Sequence, residues 1–80
     1  MKNAKPIFDY AIKQSDVMVV ERILVRVLPA LVAHGQTLTA ESIREAQEIA
    51  VPDALYAHML QVAEELVGGP FPPLEGAAYV

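Results

Sequence analysis

Residues 17–33 are apolar almost without interruption, with Glu21, Arg22 and Arg26 as the only charges and Pro29 as the only proline. Three charges make this run a poor membrane span, since each Arg at a membrane helix centre costs about 2.5–3.5 kcal/mol. Within the run Val20, Ile23, Leu24, Val27, Leu28, Leu31 and Val32 recur at helical spacing. Residues 17–20 alone would suit a strand, but the length and period of the whole run favour one helix. Pro29 is expected to kink or interrupt that helix, and Gly35 to close it.

A helix that is apolar on more than one face sits at the centre of a core or is shared with another subunit. Eighty residues make one small domain, and a chain of this size buries only about 60% of its unfolded surface. It therefore needs a dense core, a partner subunit or both. The 54% apolar content suits the dense core and counts against disorder in the body of the chain. So short a chain offers few neighbours to cover the long helix, so a two-fold homodimer is expected. Its interface is expected at Val20, Ile23, Leu24, Val27, Leu28 and Leu31, beside Val17 and Val19. Phe71 and Tyr79 are candidate covering groups.

Elsewhere the punctuation marks three more helices. Pro6 suits the first turn of a helix running to about Gln14. Ser15 and Asp16 are cap residues before the long helix, and Thr39 before the next. That next pattern covers residues 40–50, with Ile43, Ala46, Ile49 and Ala50 on one side. Pro52 forces Val51 out of the helical region, so the chain turns there. Leu55, Met59, Val62, Ala63 and Leu66 form the stripe of a final helix, which Gly68 and Gly69 end. The fold class is all-α: a compact bundle of about four helices over residues 1–69, followed by an extended Pro-rich tail over residues 70–80.

Enzyme chemistry finds little support in this composition. No cysteine is present, which removes disulfides, thiolate metal sites and Cys nucleophiles. Gly35, Gly68, Gly69 and Gly76 do not form a phosphate-binding loop. His34 and His58 are far apart in sequence, whereas zinc wants three or four converging ligands. His34 reads as a helix C-terminal residue and His58 as a surface residue. Ser15, Ser42, Thr37 and Thr39 lie near helix starts, where a hydroxyl caps. The expectation is no enzyme, no cofactor and no metal. Neither end carries a signal-peptide pattern, so a cytoplasmic protein that avoids membranes is expected.

Charge is divided unevenly. Residues 1–34 carry Lys2, Lys5, Lys13, Arg22 and Arg26 against three acidic residues, while residues 35–80 carry Arg44 alone against seven. The net charge of −4 disfavours nucleic acid and anionic membranes as partners. Glu41, Glu45 and Glu48 stand at i, i+4 and i+7, so a helix through residue 50 would align them as one acidic stripe. That stripe, with Glu64 and Glu65 second, is either a solvated face or a docking surface for a protein with a basic surface.

The segment Gly35-Gln-Thr-Leu-Thr-Ala-Glu-Ser-Ile-Arg-Glu-Ala, followed by Val51-Pro-Asp-Ala-Leu-Tyr-Ala-His-Met-Leu, resembles a helix-turn-helix. It is similar to small winged-helix proteins of phages and prophages, over residues 35–67. The resemblance implies a recognition helix on residues 52–67 and a β wing after it. This sequence departs from that pattern, because residues 52–67 include Asp53, Glu64 and Glu65 but no Lys or Arg. The wing region, Gly-Gly-Pro-Phe-Pro-Pro, is also without basic residues. A strong DNA binder makes about 6–10 phosphate contacts, and residues 35–80 offer one basic residue, Arg44, with Gln61 on the candidate recognition helix as DNA-contacting types. Short acidic helical proteins without cysteine also resemble, as a class, phage-encoded inhibitors of host defence. The expected function is a small non-enzymatic protein-binding module. Its narrower form is a phage-type inhibitor or regulator of a host defence or nucleic-acid-binding complex, acting through an acidic helical face. The alternative is a DNA-binding helix-turn-helix regulator using the five cations of residues 1–34.

Overall fold

Proline and glycine set most helix boundaries in the computed structural model, which describes residues 1–74. Pro6 occupies the first turn of α1 (Lys5–Gln14), where its missing N–H leaves no helical bond unmade. Asp16 Oδ1 accepts the N–H of Met18 at 2.8 Å, a turn that leads into α2 (Val19–Ala33). The interruption expected at Pro29 does not occur, and α2 continues through it. Pro29 lies on the exposed side, so the Val25 carbonyl, deprived of its donor four residues on, is left beside solvent. Gly35 closes the helix as expected, at φ +69°. Its N–H donates to the Val32 carbonyl at 3.0 Å, and that of Gln36 to Leu31 at 2.8 Å, the paired bonds of a left-handed glycine cap. Gly68, at φ +94°, ends α4 (Asp53–Val67) in the same region of backbone space.

The helix between them is shorter than its periodicity predicts. Thr39 opens α3 (Ala40–Glu45) with a reciprocal cap: Thr39 Oγ1 accepts from the Ser42 N–H at 3.0 Å, and Ser42 Oγ accepts from the Thr39 N–H at 2.9 Å. The helix stops at Glu45, because Ala46 is already extended at ψ 147°. Residues 46–52 are drawn instead toward the N-terminus, where β1 (Lys2–Asn3) pairs antiparallel with β2 (Ala50–Val51). Asn3 Oδ1 accepts the N–H of Ile49 at 2.9 Å and that of Lys5 at 3.0 Å. Ala4 donates to the Ile49 carbonyl at 2.8 Å. This clasp satisfies backbone groups that helix would otherwise have paired. The four-helix expectation holds, and the small sheet is an addition to it.

One core joins all of these elements. Ile7 and Phe8 of α1, Ile43 of α3, Val51 of β2, and Leu55 and Met59 of α4 are fully or almost fully buried against α2. Val20, Ile23, Val27 and Leu31 belong to this core, each at most 1% exposed. The chain's own helices cover these four residues, which the sequence pattern offers as dimer-interface positions. Leu24 is half-buried, and Leu28 alone of the six expected residues is exposed. The first part of the tail also packs inward. The Phe71 N–H donates to Glu64 Oε2 at 2.8 Å, its ring meets Tyr10 of α1 edge-on at 4.6 Å, and Leu74 is buried. Tyr79 and the rest of residues 75–80 lie outside the described residues.

Candidate functional site

The acidic segment keeps its exposure but loses its expected geometry. Glu41 and Glu45 are one turn apart on α3, while Glu48 lies beyond the end of that helix. A single helical stripe through all three does not form, because β1–β2 pairing and Pro52 require extended backbone after Glu45. All three side chains are exposed, and none joins an ion pair among the described residues. Arg44 is the only cation between Glu41 and Glu48.

Glu64 and Glu65 have tasks within the chain. Glu65 Oε2 accepts from Arg26 Nη2 at 2.6 Å, tying α4 to α2. Glu64 holds the Phe71 backbone, as described above. Neither carboxylate joins Glu41, Glu45 and Glu48 as an unengaged surface group.

The cations of residues 1–34 are scattered over β1, α1 and α2. Lys2 Nζ lies 5.0 Å from the Tyr56 ring centroid. Lys5 Nζ pairs with Asp9 at 3.1 Å and donates to the Ile43 carbonyl. Arg26 is bound to Glu65, and Lys13 and Arg22 are exposed. The exposed residues of α4 are Asp53, Ala54, Ala57, His58, Gln61 and Glu65, with no Lys or Arg to meet phosphate. Residues 46–52, β2 included, separate α3 from α4, a longer link than the three- or four-residue turn of a helix-turn-helix.

The sequence pattern did not reveal the outer face of α2. Met18 at its N-cap is 50% exposed, Val25 71%, Leu28 54% and Val32 67%, with Val17 beside them at 53%. At about 100° per residue, positions 18, 25, 28 and 32 fall within an arc of about 80°. Met18, Val25 and Val32 repeat every seven residues and Leu28 follows Val25 by three, the a and d spacing of a coiled-coil seam in which Glu21 takes the other d position. Glu21 lies within this arc and Arg22 about 40° beyond its edge. A shallow groove lined by Met18, Glu21, Arg22, Val25, Arg26 and Leu66 runs along its flank. The signal was present in the sequence, but an equally periodic inner set masked it.

No group of three or more His, Asp or Glu residues able to hold a metal occurs among the described residues. No described helix is long and apolar enough to cross a membrane. No family model matches the chain, and neither curated proteins nor solved structures give a match.

Proposed function

We propose that this chain is a small non-enzymatic protein-binding module that docks through Glu41, Glu45 and Glu48 onto a basic surface of another protein. The observation that carries this reading is their common exposure without an ion pair among the described residues, in a fold that uses Glu64 and Glu65 for itself. Carboxylates presented in this way speed encounter with a basic partner and set its orientation more than they raise affinity. The narrower form is a phage-type inhibitor or regulator, whose acidic segment occupies the basic channel of a host defence or nucleic-acid-binding complex.

The test is the combined variant Glu41→Lys, Glu45→Lys and Glu48→Lys. Each residue is exposed, so the helical circular dichroism of the variant should match that of the parent. Affinity capture from the native host should recover a protein with the parent chain and lose it with the variant. Recovery of the same protein by the folded variant would overturn the assignment. A mobility shift of duplex DNA that weakens steeply with salt would instead favour the DNA-binding alternative.

A further inference from the structure

We propose that the outer face of α2 is a self-association surface, on which two copies of the chain pair antiparallel about a two-fold axis near Val25. This goes beyond the acidic docking reading and does not depend on it.

The face has the size and shape for such a contact. Met18, Val25, Leu28, Val32 and the adjoining Val17, at half to 71% exposed, together present on the order of 400–500 Å² of apolar surface. That is as large as the largest patch on a typical monomer, about 300–600 Å². With Glu21 inside the strip and Arg22 and Pro29 at its margin, it approaches the lower end of a stable interface, about 600 Å² per partner. α2 runs for about 22 Å along a molecule whose longest dimension is 29 Å, so two such faces can lie along each other for their whole length.

The area approaches what a two-fold pair of copies needs, and the charges on the strip fix the direction in which the second copy lies. Parallel pairing would set Glu21 against Glu21 and Arg22 against Arg22 in the middle of an apolar contact. Antiparallel pairing about Val25 instead separates the two Glu21 residues by eight helical positions, about 12 Å along the axis. That exceeds the Debye length of about 8 Å at physiological salt. In the same arrangement Met18 faces Val32, and Arg22 faces Leu28 and Pro29. The Arg22 stem covers Leu28, while its guanidinium comes within reach of the Val25 carbonyl that Pro29 deprives of a helical donor. The strip thus gains from a second copy both apolar cover and a protein donor in place of water. A self-complementary patch of this kind closes as a two-fold dimer.

Sedimentation equilibrium over micromolar to submillimolar concentrations provides the first test. The average mass should rise from 8.7 kDa toward twice that value, whereas the single-chain mass throughout would overturn the proposal. Val25→Glu and Leu28→Glu should keep the helical circular dichroism and remain monomeric at every concentration. Dimers formed by both folded variants would place the contact elsewhere and reject this face. The chain has no cysteine, so introduced thiols report direction cleanly. Under mild oxidation Met18→Cys mixed with Val32→Cys should cross-link between the two variants, while Met18→Cys alone should not. Efficient linkage of Met18→Cys to itself would overturn the antiparallel arrangement.

Discussion

Arg26 Nη2 donates to Glu65 Oε2 at 2.6 Å across the α2–α4 packing, joining residues 39 positions apart. The side chains are 46% and 50% exposed, so water screens the pair and limits its worth. A double-mutant cycle with Arg26→Ala and Glu65→Ala should give a coupling of about 0.2–1 kcal/mol in urea denaturation. The coupling should fall at 1 M salt. A zero coupling at low salt would show that the contact does not persist in solution.

Asn3 is the hub of the N-terminal clasp, because one side-chain oxygen serves the N–H groups of both Lys5 and Ile49. Asn3→Ala removes the acceptor and should destabilise the protein by about 1–3 kcal/mol. In a domain of this size each kcal/mol lowers Tm by roughly 4–8 °C, so thermal melts should resolve the loss readily. Asn3→Asp keeps an acceptor oxygen and should recover most of the stability. If both variants melted with the parent, the clasp would contribute nothing measurable.

Gly35 has no atom within 4 Å of where a Cβ would stand, so substitution there tests backbone conformation without a steric clash. Gly35→Ala should cost about 1–2 kcal/mol because φ +69° is unfavourable for an L-residue with a Cβ. Gly35→Asn should cost less, since Asn tolerates this region better. Equal stability of the Ala and parent proteins in chemical denaturation would mean that the helix end adopts another cap.

Ile23 and Val25 lie two residues apart on opposite sides of α2, one fully buried and the other 71% exposed. At concentrations low enough for a single chain, Ile23→Ala should cost about 2–5 kcal/mol and Val25→Ala at most about 0.5 kcal/mol. Denaturation of both variants at a few micromolar checks the contrast. Similar losses at the two sites would mean that α2 is rotated from the packing described.

Local chemistry made three of the four helices legible in the sequence. Pro6, Gly35 and Gly68 act within one turn of themselves, so their effect on α1, α2 and α4 needed no knowledge of the rest of the chain. The early end of α3 was hidden, because Ile43, Ala46 and Ile49 fit a helical period equally well. The competing force is a bond to Asn3, 46 residues away, and no local pattern carries it. The rotation of α2 was hidden for a different reason. Val20, Ile23, Val27 and Leu31 form one apolar set and Met18, Val25, Leu28 and Val32 another, and composition does not rank them. Only the positions of α1 and α4 decide which set turns inward. The acidic residues illustrate the same limit, since a distant Arg26 and a later Phe71 engage Glu65 and Glu64 while Glu41, Glu45 and Glu48 meet no such group among the described residues.

The β1–β2 pairing also imposes an order on biosynthesis. Lys2 and Asn3 leave the ribosome about fifty residues ahead of their partners Ala50 and Val51, and contacts so distant in sequence slow folding. Until those residues emerge, the core that Phe8 shares with Val51 and the α4 side chains is incomplete. The nascent chain therefore holds its most apolar helix uncovered while the covering elements are still being made, an interval in which aggregation competes with folding. The strand that closes the fold is made well before its partner and is among the last to be placed.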